Sequence, residues 1–200
     1  MNIDKLIEYD WEQYTYCRDM SINDIESITK LLDRKLDIVE IGAKQGNSSS
    51  IFASYVKENG GSFNTCDIFE DLLVKEAFNN HMKNLELSNY VTLNHISSYE
   101  FSKTFKDNTL DFIFLDGSHI YSDIKQDIEV WYPKLRNDGI ICGHDCEMIA
   151  NKFQIDTINS FDSWQNVDMN VFHFGVIMAV SERFENAKLI GDRIWWIKKN

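Results

Sequence analysis

Leu36-Asp-Ile-Val-Glu-Ile-Gly-Ala-Lys-Gln-Gly46 is the stretch on which the fold turns. An apolar run with an acidic residue near its end, broken by two glycines four apart, is a buried strand that turns sharply into a helix. Gly42 permits the turn. Gly46 permits close approach to the helix start, whose unpaired N–H groups favour polar or anionic contacts. The dinucleotide pattern G-x-G-x-x-G is not met, because Lys44 stands where its second glycine would be. Taken alone, the stretch also fits an ordinary strand-to-helix turn. A second stretch, Leu110-Asp-Phe-Ile-Phe-Leu-Asp-Gly-Ser-His119, is another buried strand that delivers Asp116, Ser118 and His119 at its carboxyl end. Open α/β sheets bind ligands outside the carboxyl ends of their strands. Both stretches therefore point to one rim, and to an enzyme.

The flanking pattern alternates. Ser21 caps a helix over 21–34, with Asp24 at the capping-box position and Ile22, Ile25, Ile28 and Leu32 on one face. A helix from about Asn47 to Glu58 is closed by Asn59-Gly60-Gly61. Strand Ser62–Cys66 ends at Asp67, a helix near 70–86 leads to strand Val91–Ile96, and a short helix precedes strand 111–115. Tyr121–Tyr132 is helical and stopped by Pro133, after which Asn137-Asp138-Gly139 turns into strand Ile140–Gly143. Such alternation means parallel strands with crossover helices. Beyond a polar helical stretch at about 147–163, Val171–Val180 and Arg193–Lys198 are strand-like. The joint between them, with Gly191, is too short for a crossover, so they are expected to pair antiparallel. The expectation is an α/β fold with a single seven-stranded sheet, six strands parallel and one reversed, and helices on both faces. One domain spans 1–200, with a helical segment at 1–34 ahead of a core at 35–200.

Bulk properties narrow the function. With 200 residues, 44% hydrophobic, 13% aromatic, 26% charged and one proline, the chain can bury one full core as an ordered domain. A net charge of -12 argues against nucleic acid, whose binding is driven by Lys and Arg. Cys66 and Cys142 lie in expected strands as small hydrophobes, and Cys142 and Cys146 lack the second pair of a structural zinc site. The amino terminus has no signal-like apolar stretch and no 18-residue apolar run occurs, so a cytoplasmic protein without membrane insertion is expected.

Glu40-x-Gly42-x-x-x-Gly46 followed by Asp67 at the end of the second strand resembles the class I S-adenosylmethionine-dependent methyltransferases. The resemblance implies a Rossmann-like sheet of order 3-2-1-4-5-7-6 with its last pair antiparallel. It also implies a loop (Glu40, Gly42, Ala43, Gly46, Ser48) that holds the methionine part of the cofactor, with Asp67 and Ile68 at the ribose. Asp67 is open to a second role, capping the helix near Glu70. A closer similarity lies in Phe114-Leu-Asp-Gly-Ser-His-Ile-Tyr121, Asp127, Trp131, Pro133, Leu135 and Gly139-Ile-Ile-Cys-Gly-His-Asp145. These residues resemble a subgroup that includes enzymes acting on sugar hydroxyls in antibiotics and surface glycans. The similarity spans about 36–146 and implies that Ser97, Ser98 and Asp116 also border the cofactor.

Methyl transfer from a sulfonium is an in-line displacement, so the acceptor oxygen must be positioned and relieved of its proton. His119 suits the base, its alternative being a structural histidine at a helix start. Asp116 and Asp145 end neighbouring strands and would repel unless a cation or proton lay between them. Metal-dependent relatives hold Mg²⁺ there, and the resemblance implies Mg²⁺ or another divalent cation at Asp116 and Asp145. Cys146 stands where such relatives carry Asp or Asn, and a thiol is a poor magnesium ligand. Glu147 is the available substitute. His144 is open to a role as second ligand, second base or structural group, Asp127 to a helix-surface or hydrogen-bonding one, and His173 to a core or edge one. Trp195-Trp196 supplies one core face and one outer face. The aromatic run Tyr9-Asp-Trp-Glu-Gln-Tyr-Thr-Tyr16 fits a substrate lid, helix packing or a homodimer contact. The expected activity is O-methylation of a small-molecule or glycan acceptor, probed against a nucleotide-dependent oxidoreductase and a catalytically silent binding domain.

Overall fold

The computed structural model describes residues 20–160, 164–166 and 172–200. The aromatic run at 9–16 lies outside them. In chain order come α1 (Ile22–Lys30), β1 (Leu36–Ile41), α2 (Asn47–Asn59), β2 (Gly61–Asp67), α3 (Leu72–Asn84), β3 (Thr92–His95) and α4 (Ser98–Ser102). Then follow β4 (Leu110–Leu115), α5 (Tyr121–Trp131), β5 (Leu135–Gly143), α6 (Lys152–Asn159), α7 (Phe174–Arg183), β6 (Lys188–Ile190) and β7 (Ile194–Lys198). The capping box at Ser21 and Asp24 is present, and Gly60 ends α2 with φ at +74°.

The sheet order is β3-β2-β1-β4-β5-β7-β6. Pairing is parallel from β3 through β5, while β7 runs antiparallel to both β5 and β6. Six strands thus point one way and one is reversed, as expected. The identity of the sixth strand is not as expected. Residues 174–183 form helix α7, and the strand lies at Lys188–Ile190, in a hairpin with β7 turned at Gly191 (φ +69°). A short apolar run has no periodicity to separate a strand from a helix buried on all sides. Connectivity decides: β6 is parallel to β5, and a parallel return needs a crossover, which α7 supplies. Strand β5 also starts earlier than expected, with Asn137-Asp138-Gly139 inside it where its register on β4 shifts.

Strands apolar on both faces are what a doubly covered parallel sheet requires. One core, around Ile38, Phe52, Phe63, Phe78, Phe112 and Phe114, lies under α1–α3. The other, around Val39, Ile113, Ile128, Trp131, Ile177 and Trp195, lies under α4, α5 and α7. Among the described residues no helix is long and apolar enough to cross a membrane.

Two contacts fix the ends of the strands. Glu40 is fully buried and accepts hydrogen bonds from the Ser48 and Ser49 hydroxyls of α2 and from Thr65 Oγ1 of β2 at 2.7 Å. Burial pushes its carboxyl up from 4.5 to about 7, against the lowering effect of the three hydroxyls. At the start of α7, a Cβ on Gly175 would sit 2.1 Å from the His119 carbonyl oxygen and 2.7 Å from Tyr121 N. Glycine there lets α7 lie directly on the turn that carries His119.

Gly175→Ala should therefore destabilise, although alanine gains up to about 1 kcal/mol of helix propensity. A contact that short with backbone must be relieved by moving α7, at roughly 1–3 kcal/mol. Chemical denaturation checks the sign. For Glu40, a folded-state carboxyl raised above its unfolded value contributes stability that is present in acid and lost as pH rises through about 4.5 to 7. Glu40→Gln should flatten that decline, measured as unfolding midpoints at about pH 5 and about pH 8.

Candidate active site

The carboxyl ends of β1, β2, β4 and β5 meet at one rim. Gly42, at φ +93°, leaves no room for a side chain: a Cβ would lie 2.1 Å from the Asp116 carbonyl oxygen. The loop after β1 thus rests on the end of β4, and Gly42 N and Ala43 N donate to the Cys66 carbonyl at the end of β2 (2.9 and 3.3 Å). Asp67 accepts from Lys44 N at 2.8 Å and from Phe69 N at 2.7 Å. It closes this loop instead of capping α3, a task taken by Asp71, which accepts from Leu73 N. Beside it Ile68 is 55% exposed, a bare apolar surface next to a carboxylate.

Other residues expected at the cofactor have local work. A Cβ on Gly46 would meet Met82 Cε at 2.7 Å and Phe78 Cδ2 at 3.0 Å, so its missing side chain admits α3. Glu40 and Ser48 bond each other behind the loop. Ser97 caps α4 through Glu100 N. Ser98 donates to Asp127 Oδ1 at 2.5 Å and accepts from Trp131 Nε1 at 2.8 Å, tying α4 to α5. Asp127 is buried and not on the helix surface, and burial pushes its carboxyl up to about 6.

The titratable cluster centres on Asp145, which follows β5 in a left-handed conformation (φ +56°). Its Oδ2 lies 2.9 Å from His119 Nε2, and its Oδ1 lies 2.7 Å from Arg193 Nη1, 3.3 Å from His144 Nδ1 and 3.7 Å from His173 Nδ1. Burial alone would raise this carboxyl, but the hydrogen bond from His119 and the close His144 ring hold it well below the usual carboxylate range. His144 is sealed between carboxylates: Nε2 is 3.5 Å from Asp24 Oδ2, and Nδ1 is 3.9 Å from Asp116 Oδ1. These are ion-pair distances out of line for hydrogen bonding. Burial favours the neutral ring, yet Asp145 and Asp24 outweigh it and push the imidazole up to about 10. Asp24 itself accepts from Asp192 N and Arg193 N at 2.7 and 3.0 Å, which anchors the β6–β7 turn.

Three members of this cluster carried no signal as site residues in the sequence. Asp24 fits a capping box and plays that part, yet its carboxylate also faces His144. Arg193 opens the last strand with no motif around it. His173 is buried, as a core histidine would be, but lies on no strand; it precedes α7 at the N-cap position without a side-chain cap bond, and its ring is tilted 55° to that of His119 with the centroids 4.4 Å apart. Its Nδ1 lies 2.7 Å from Glu147 Oε1.

The donor set does not suit Mg²⁺ between Asp116 and Asp145. The His144 ring stands between the two carboxylates and Arg193 occupies one of Asp145's oxygens. Cys146 turns its thiol into the core toward the Met148 carbonyl, and Glu147 is engaged by His173. A hard ion wanting six oxygens finds few to take. The positive charge that two neighbouring carboxylates need is supplied here by imidazole and guanidinium.

Comparison with known proteins agrees with this geometry. The sequence model of a family described as a methyltransferase domain matches residues 39–146. A Staphylococcus aureus protein crystallised as a candidate caffeoyl-CoA O-methyltransferase superposes with a TM-score of 0.71 at 19% identity, covering 100% of this chain and 93% of that one. A Podospora anserina methyltransferase with SAH (S-adenosylhomocysteine) bound gives 0.69 at 17%, covering 98% and 88%. A Bacillus cereus O-methyltransferase in complex with SAH gives 0.67 at 14%, covering 98% and 90%. At such identities these likenesses show the fold. An uncharacterized Sinorhizobium fredii protein is 36% identical over 50 residues, 25% of this chain but only 6% of that protein's length. The family match covers more than half of the chain and contains both the Gly42 loop and Asp145: the chain belongs to the methyltransferase-domain family, on the class I fold.

Proposed function

We propose that the protein transfers a methyl group from S-adenosylmethionine to a hydroxyl of a small, carbohydrate-derived acceptor. The observation that carries this reading is the His119–Asp145 pair, 2.9 Å apart, beside the loop that Gly42 lays on Asp116. Asp145, an ionised carboxylate, holds the proton of His119 on Nε2, and this tautomer makes Nδ1 the nitrogen that takes a proton. As the acceptor oxygen attacks the methyl carbon, the C–S bond breaks, its electron pair stays on sulfur, and the acceptor proton passes to His119 Nδ1.

The cofactor would lie along Gly42, Ala43 and Lys44, with its ribose at Asp67 and its adenine against Ile68 and Ser97. Asp67 keeps lone pairs for ribose hydroxyls after receiving two backbone N–H groups. Asp116 borders both halves and would orient the acceptor. A rim of imidazoles, carboxylates and one guanidinium suits a hydroxyl-rich molecule, which supports the sugar class. Buried free thiols at Cys66, Cys142 and Cys146 support a reducing, cytoplasmic setting.

His119→Ala should cut turnover by roughly 10²-fold or more while S-adenosylhomocysteine binding stays near wild type. Homocysteine release measures the first and calorimetry the second; wild-type turnover in the variant ends the assignment of the base. Thermal shift separates this function from nucleotide-dependent redox chemistry. S-adenosylhomocysteine at about 100 times its dissociation constant should add about 2.7 kcal/mol of stability, and NAD(H) none.

A further inference from the structure

Proton transfer at His119 needs one carboxylate partner, yet the rim links four carboxylates and three imidazoles through successive contacts. Among the described residues, Asp24, Asp116, Asp145 and Glu147 are set against two cationic groups, the Arg193 guanidinium at Asp145 and the His144 imidazole between Asp24, Asp116 and Asp145. The surplus negative charge attracts further cations. Among the described residues, two groups of side chains have donor atoms that all lie within 4.8 Å of one another: His119, Asp145 and His173, and Asp116, His144 and Asp145. In the second group the His144 side chain is wholly buried and wedged between carboxylates. In the first, the His119 side chain is 30% exposed, so an ion can reach it from solvent.

We propose that His119, Asp145 and His173 form a binding site for a borderline divalent transition-metal ion, of the zinc or cobalt type, whose occupation silences the enzyme. Metal–ligand bonds of roughly 2.0–2.1 Å place neighbouring donors about 3.0–3.4 Å apart. The separations here, 2.9 Å from His119 Nε2 to Asp145 Oδ2 and 3.7 Å from His173 Nδ1 to Asp145 Oδ1, bracket that range. Two imidazole nitrogens with one carboxylate select zinc, cobalt, manganese or iron over magnesium. Arg193 holds the carboxylate through Oδ1 and leaves Oδ2 to the ion, which at His173 Nδ1 would replace that nitrogen's present contact with Glu147 Oε1 at 2.7 Å.

The silencing step rests on the reading of His119 as base. A metal bound at Nε2 displaces the proton there to Nδ1, the nitrogen that must accept the acceptor's proton. The ring stays neutral, no electrons change hands, and the base is blocked.

The test uses the full chain stripped with EDTA. Titration with Co²⁺ should give visible absorption saturating at one ion per chain, Zn²⁺ should abolish that absorption, and excess Mg²⁺ should leave it intact. His173→Ala should weaken Co²⁺ binding by more than about tenfold, the scale on which even outer partners of a metal site count. His119→Ala, read in the same way, covers the case in which the first variant fails to fold. Turnover should be undiminished in EDTA and fall with the fraction of sites holding Zn²⁺. The proposal is overturned by an absence of cobalt absorption, by unchanged affinity in both variants, by undiminished turnover with zinc bound, or by turnover that requires metal. Cobalt binding is read without substrate, so a missing metal site and a missing methyl transfer give different results.

Discussion

A buried carboxylate in a left-handed turn, Asp145, is the constraint on which the rim depends. Taking an ion out of water is costly unless partners replace the lost hydration. Here the partners come from four places: the β4–α5 turn (His119), the residue before it in the chain (His144), the start of α7 (His173) and the start of β7 (Arg193). Three of them are held in turn by something else. Arg193 N and His144 both meet Asp24 on α1, and His173 meets Glu147. The titratable rim and the packing of the last third of the chain are therefore one structure. Removing a single partner leaves a buried charge uncompensated, a much larger penalty than the pair is worth as a net attraction.

Glu40 applies the same logic in the cofactor half. It stands at the position that the motif marks as ligand-facing, yet three hydroxyls from α2 and β2 engage it inside the core. It shapes the loop from behind. Asp67 does so from the side by binding Lys44 N, and Gly42 from below by resting on Asp116. The loop is thus held at three points, with its ligand side supplied by backbone and by Asp67.

Much of this was legible in the chain. The turn at Gly42, the strand ends at Asp67, Asp116 and Asp145, and the alternation of strands and helices follow from local patterns, because burial on both faces of a parallel sheet imposes apolar runs punctuated by turn residues. Six strands could be placed this way. The apolar run at Val176–Val180 could not, since a helix buried on all sides loses its periodicity. Ser98 and Gly46 fit the cofactor by position, but their neighbours, Asp127 with Trp131 and Met82 with Phe78, lie on other helices.

The class of fold, the glycine-bearing loop, and the presence of His119 and two aspartates at one edge of the sheet are written in the chain. These are properties of short segments, fixed by backbone sterics and side-chain periodicity. What stands between Asp116 and Asp145 emerges on folding: His144, with Arg193 and Asp24 around it. Their separation along the chain reaches 169 residues between Asp24 and Arg193. Charge compensation acts through space over a few ångströms, and no local pattern records which distant residues will share a desolvated pocket.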